Sequence, residues 1–170
     1  SLSLRFSFDG ARARQAYGEA AARGRDLRPA LRAVGAAGVA QTKRRFVTKR
    51  APDGSAWKPT FKIGGSTMIQ SGLLLRSIAA QPPSQTAVEW GSNRIYAAMR
   101  QTGGTIRAKD GGMLRFRVGG NGGWVAKREV TQHARPYLGL NGEDEAAFEA
   151  ILLRHLGSPL VGGPSVEGGV

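Results

Sequence analysis

Residues 26–49 read Asp26-Leu-Arg-Pro-Ala-Leu31-Arg-Ala-Val-Gly35-Ala-Ala-Gly38-Val-Ala-Gln-Thr42-Lys-Arg-Arg45-Phe-Val-Thr-Lys49. Leu27, Leu31, Val34, Gly38 and Phe46 recur near the 3.6-residue period. That spacing predicts one long amphipathic helix over about 27–49. Asp26 is a plausible N-cap, and Pro29 is tolerated in a first turn. Gly35 and Gly38 each weaken a helix by about 1 kcal/mol relative to alanine, so they point to close packing against another element. Lys43, Arg44, Arg45, Lys49 and Arg50 gather at its end, where cations complement the helix dipole.

Outward from this helix the period changes. Leu2, Leu4, Phe6 and Phe8 alternate with polar residues, as in a strand, until Asp9-Gly10. Residues 11–23 are rich in Ala, Arg and Glu and read as a short helix ending at Gly24. Residues 51–66 read as a loop around Pro52-Asp53-Gly54, with Trp57 as its anchor. Residues 67–78 and 94–100 read as short helices, and residues 86–91 as a strand with Val88 and Trp90 on one face. Thr105–Lys109, Met113–Val118 and Trp124–Glu129 are strand-like, and Asp110-Gly111 signals a hairpin turn between the first two. Gly119–Gly123 is a long loop suited to ordering against a neighbour. A last helix begins at Asn141 or Gly142, with Glu143, Asp144 and Glu145 in its first turn. Its buried stripe is expected to be Ala147, Phe148, Ile151, Leu152 and Leu156. Leu2, Leu4, Phe6, Leu114, Phe116 and Val118 are expected in the core.

The expected architecture is α+β: a small antiparallel sheet in meander order, packed with one long and several short helices. Residues 1–156 form a single domain, and residues 157–170 a Gly/Pro-rich tail. A chain of 170 residues that is 41% hydrophobic can bury one core of this kind.

Charge narrows the partners. The net charge is +13, and 12 of the 25 basic residues lie between Arg5 and Arg50, while four of the 12 acids lie within Glu143–Glu149. Such segregation suits binding to DNA, or head-to-tail packing of identical subunits, basic face on acidic face. There is no cysteine, hence no disulfide or thiolate metal site, which fits a reducing compartment. No apolar run reaches the roughly 18–20 residues that span a bilayer, and the N-terminus alternates rather than forming a signal-peptide block. A soluble protein of the cytosol, with no membrane partner, is the expectation.

Chemistry is hard to find. His133 and His155 are the two histidines, far apart in sequence and without a matching carboxylate cluster. Gly-x-Ser-x-Gly, His-Glu-x-x-His and the Gly-x4-Gly-Lys-Ser/Thr phosphate loop do not occur. Asp53, Glu89, Asp110 and Glu129 are scattered, unlike the converging carboxylates that a Mg²⁺-dependent nuclease requires. The reading is a non-enzyme with no cofactor and no metal. Lys43, Arg44, Arg115 and Arg117 are the candidates for phosphate contact, by charge and without sequence preference.

Five segments in order carry a resemblance. They are Arg45-Phe46 at the end of the long helix, Pro52-Asp-Gly-Ser-Ala-Trp57-Lys-Pro59, and Ser71-Gly-Leu-Leu-Leu-Arg76-Ser-Ile78. Tyr96-Ala97 with Gln101-Thr-Gly-Gly104, and Arg135-Pro-Tyr137-Leu-Gly-Leu140, complete the set. Together, over about residues 25–156, they resemble the phage virion morphogenesis family, also called tail completion proteins. The chain has Arg100 and Thr102 where that family often has His and an aromatic, and Tyr137 where Phe is common. The resemblance implies an α+β subunit that forms a ring, usually of six, at the neck of a tailed phage. It would be assembled in the host cytoplasm and carried in the virion, as a tail terminator joining the tail to the DNA-filled head. Its partners would be further copies of itself, the tail tube protein and the head–tail connector or stopper, with contact to genomic DNA left open.

Residue roles follow from that resemblance. Trp57, Pro59, Arg76, Tyr96, Arg135 and Tyr137 are the expected interface or structural anchors. Arg76 and Arg135 could pair with acids of the last helix, within or between subunits, and Arg135 could equally bond a loop carbonyl. Arg115 and Arg117 could line the DNA passage, together with Lys43 and Arg44. The alternatives are a head-side connector, or a basic DNA-binding protein without sequence preference, whose affinity would fall steeply with salt.

Overall fold

The computed structural model describes residues 2–7, 26–59, 68–69, 71–117 and 123–156. The helix expected over 11–23, Phe8, Val118, most of the Gly119–Gly123 loop and the 157–170 tail lie outside the described residues.

The long helix, α1, spans Arg28–Thr48 and is capped at its end by Lys49 in the left-handed conformation. Asp26 accepts from the backbone N–H of Arg28 at 3.0 Å and from its Nε, one residue ahead of the helix's N-cap, Leu27. Those bonds from Arg28 pull the Asp26 carboxyl down to about 2.

α1 lies on a three-stranded antiparallel sheet of order β1–β3–β2, formed by Leu2–Ser7, Ala87–Ser92 and Ala79–Ala80. β3 is the central strand, and Val88 and Trp90 are fully buried on it. The helix glycines serve this contact. A Cβ on Gly35 would stand 2.8 Å from Val88 Cγ2, and one on Gly38 2.5 Å from Trp90 Cε2. Two residues without side chains thus let the helix axis sink onto the sheet. Trp90 then donates its indole N–H to Thr42 Oγ1 at 3.1 Å, satisfying both buried polar atoms.

The last helix, α4, spans Gly142–Leu156 and runs antiparallel to α1. Its start is tied to the end of α1 by Arg45 and Asp144, and its end to the start of α1 by His155 Nε2 and the Asp26 carbonyl at 2.8 Å. Its buried residues are Asp144, Phe148 and Leu152, with Phe148 edge-on to Trp90 at 5.8 Å. Ala147, expected in this stripe, is exposed: it stands about 100° round the helix from Phe148, outside the buried arc that Phe148 and Leu152 define. Two short helices, α2 (Leu73–Ser77) and α3 (Ala97–Thr102), complete the domain.

The fold is α+β, as expected, but the second half of the strands pairs in another order. β4 (Gly104–Arg107) pairs with β7 (Glu129–Gln132), and β5 (Leu114–Arg117) with β6 (Trp124–Lys127). The four strands form one long two-stranded ribbon rather than a meander. Asp110-Gly111 does turn, with φ of 53° and 70° and the Gly112 N–H bonded to the Lys109 carbonyl at 2.9 Å. The turn interrupts one side of the ribbon instead of joining neighbouring strands. None of the ribbon's described residues enters the hydrophobic core. Leu114 and Phe116 are therefore half-buried, because among the described residues the ribbon has no second layer to cover them. Leu2 and Leu4, on the edge strand β1, are half-buried against the core's margin. The side chain of Phe6 lies outside the described residues.

Candidate functional site

Four of the five segments converge on one buried junction where α1 ends and α4 begins. Pro52-Asp53-Gly54 makes the convergence possible. Gly54 N–H bonds the Ala51 carbonyl at 3.0 Å, Ser55 bonds the Asp53 carboxylate, and Arg50 bridges to Ala56. The chain is folded back so that Trp57 N–H reaches the Lys49 carbonyl at 2.9 Å. The indole is delivered beside Phe46, edge-on at 5.6 Å, and its Nε1–H donates to the Pro136 carbonyl at 2.9 Å. Phe46 also packs on Tyr137, with centroids 5.2 Å apart.

Arg45 organises the other side. Nη1 donates to the carbonyls of Tyr137 at 3.1 Å and Gly139 at 2.7 Å, while Nη2 pairs with Asp144. Arg45 is 8% exposed and Asp144 3%. A buried cation of this kind is tolerable because carbonyls and a carboxylate surround it. Asp144 has a second task. Its Oδ2 accepts from Asn141 N–H at 3.2 Å while Asn141 Oδ1 accepts from Asp144 N–H at 2.8 Å, a reciprocal cap on α4. Gly139 closes the arrangement: its φ is 151°, and a Cβ there would come 2.7 Å from Pro52 Cγ.

Gln101 brings in the fourth segment. Its Oε1 accepts from the N–H groups of Tyr137 and Leu138 at 2.9 and 3.0 Å, and its Nε2 donates to the Leu138 carbonyl at 2.8 Å. Tyr137 is fully buried, and its hydroxyl donates to the Ala97 carbonyl at 3.4 Å. That burial pushes the phenol up to about 12. Arg135 grips the outgoing loop through the carbonyls of Lys58 at 2.9 Å and Pro59 at 3.0 Å, and bonds the His133 carbonyl of its own segment at 3.3 Å. Burial, and then the nearby charge of Arg100, lower its affinity for its proton.

Of the expected anchors, Trp57, Pro59 (through its carbonyl), Arg135 and Tyr137 meet here. Arg76 does not. It is exposed and donates to the Ser71 carbonyl at 2.9 Å within its own segment. Within the subunit neither Arg76 nor Arg135 pairs with an acid of the last helix; Arg45 takes that place. Arg135 is committed to carbonyls, and Arg76 is too close to its own helix start. Tyr96 sits at the N-cap of α3 with an exposed side chain, next to the fully exposed Ile95. The four candidate cations stay apart as two pairs on two elements: half-buried Lys43 and exposed Arg44 on α1, exposed Arg115 and Arg117 on β5.

Arg45, Gln101 and Asp144 join the expected anchors at this junction. The signal for Arg45 was present, since Leu31, Gly38 and Arg45 repeat every seven residues and put the arginine on the apolar stripe.

The junction orders backbone; its polar side chains bond carbonyls, N–H groups and one another. Among the described residues no group of three or more His, Asp or Glu could hold a metal ion, and no helix is long and apolar enough to cross a membrane. The chain matches the model of the phage virion morphogenesis family over residues 8–157 and belongs to that family, a structural family of phage virions. No curated protein and no solved structure matches it.

Proposed function

Starting from that membership, we propose that the protein completes the tail of a phage virion at the neck, where tail meets head. Its subunits assemble as a ring, of six copies in this reading, on the upper end of the tail tube. The ring ends tube growth and offers the head-side connector a surface. The observation that carries this is the use made of the family's segments. Arg45, Trp57, Gln101, Arg135 and Tyr137 spend their bonding capacity on fixing two loops against two helices. A subunit fixed in this way, with a cationic ribbon outside its hydrophobic core, is a part to be placed against other parts. Six copies at +13 carry +78, so the ring is favoured where acidic surfaces or DNA offset that charge.

The test is electron microscopy of particles from a phage or prophage lacking the gene. Filled heads beside unjoined tails, some of abnormal length, are expected. Normal joined virions would refute the reading. Heads that leak DNA beside normal tails would move the protein to the head side of the joint.

A further inference from the structure

The ribbon β4–β7 is an arm that, among the described residues, stays outside its own subunit's hydrophobic core. On its outer ladder Arg117 pairs with Trp124 and Arg115 with Ala126, so Arg115, Arg117 and Trp124 share one face. Arg117 stands over the Trp124 ring at 5.9 Å, and Trp124 is 71% exposed. A two-stranded ribbon is at best marginally stable in water, and one that exposes a tryptophan on this face calls for a protein surface. Phosphate contact alone would use the cations and leave the aromatic in solvent.

Among the described residues, the outer face of α4 is a surface of the matching kind. On α4, at 100° per residue, Ala146 and Ala150 point away from the core, with Glu143 on one flank and Glu145 and Glu149 on the other. All five are exposed. Among the described residues the three glutamates meet no cation, whereas Asp26, Glu89, Glu129 and Asp144 are each paired within the chain. The spacing matches as well. Arg115 and Arg117 are two strand residues apart, roughly 6.6 Å, and Glu145 and Glu149 one helical step apart, roughly 6 Å.

We propose that the arm of one subunit docks on the outer face of α4 of a second copy of this chain, with Trp124 over Ala146 and Ala150 and with Arg115 and Arg117 among the flanking glutamates. The two surfaces differ, so the contact is head-to-tail and propagates to a closed ring when the rotation permits. This deepens the ring reading above and rests on it.

The chain contains no cysteine, so single cysteines report contacts cleanly. Purified full-length Arg117→Cys and Ala146→Cys proteins, mixed and mildly oxidised, are expected to give at least about tenfold more disulfide-linked dimer than either alone, the equivalent of one strong contact. Arg115→Glu/Arg117→Glu is expected to stay monomeric by analytical ultracentrifugation, and to assemble again when mixed with Glu145→Arg/Glu149→Arg. Equal cross-linking in mixed and unmixed samples overturns the proposal, as does a wild-type chain that remains monomeric. Assembly of the charge-reversed protein together with loss of retention on duplex DNA would overturn it too, assigning the arm to DNA. The tail-completion reading is judged separately, on particles from the deletion, and stands or falls whatever the cross-link shows.

Discussion

The indole Nε1–H of Trp57 donates to the Pro136 carbonyl at 2.9 Å, so the loop leaving α1 and the segment entering α4 hold one another across 79 residues. The ring also fills the space beside Phe46. The two contributions separate by substitution. Trp57→Phe keeps most of the ring and loses the hydrogen bond, at about 1 kcal/mol. Trp57→Ala empties the site and destabilises by about 3–5 kcal/mol. Urea unfolding of the three proteins measures both. Equal stability of wild type and Trp57→Ala would show that the indole is no anchor.

Arg45 and Asp144 are a second test. Removing either partner leaves a buried charge without its counter-charge, so Arg45→Met or Asp144→Leu is expected to destabilise by about 3–5 kcal/mol. Asp144 also caps α4, which makes its loss the larger. The double variant is expected to cost clearly less than the two singles together, and a thermodynamic cycle reads that coupling directly.

Gly38 sets local preference against packing. On helix propensity alone, Gly38→Ala would stabilise by about 1 kcal/mol. The new Cβ would fall 2.5 Å from Trp90, so overpacking of about 1–3 kcal/mol is expected to win. The sign of the change in the urea midpoint decides. A stabilised variant would mean that α1 does not sit on β3 as described.

Tyr137 gives a pH signature. Its phenol ionises near 10 when free and at about 12 in the fold, because burial disfavours the anion. The stability it supports is whole below pH 10 and is lost as pH rises from 10 to 12, where the unfolded chain gives up its proton first. Tyr137→Phe is expected to remove part of that alkaline fall. It should change little at pH 7, the hydroxyl bond to Ala97 being long at 3.4 Å. Parallel alkaline unfolding curves for the two proteins would contradict this.

What the sequence disclosed was what depends on neighbours along the chain. The long helix, the packing role of Gly35 and Gly38, the strand around Val88 and Trp90 and the acidic start of the last helix all follow from short-range periodicity. Asp110-Gly111 gave its turn for the same reason. Which strands paired around that turn was decided by contacts between Gly104–Arg107 and Glu129–Gln132, and no local pattern encodes that choice. Arg45 was hidden by its company, since one buried arginine in the run Lys43-Arg44-Arg45 reads as a solvated helix end. Its partners, the Tyr137 and Gly139 carbonyls and Asp144, lie more than ninety residues away. Gln101 was legible as part of a family segment, but a side-chain amide that pairs with two backbone N–H groups and a carbonyl leaves no mark on composition.

The most direct test is completion in vitro. Purified protein is added to a lysate of the gene deletion, which holds heads and tails, and infectious particles are counted. A rise in titre of several orders of magnitude, absent with Trp57→Ala protein, is the predicted result. A titre that does not rise with wild-type protein, or a deletion lysate already full of infectious virions, would contradict the account.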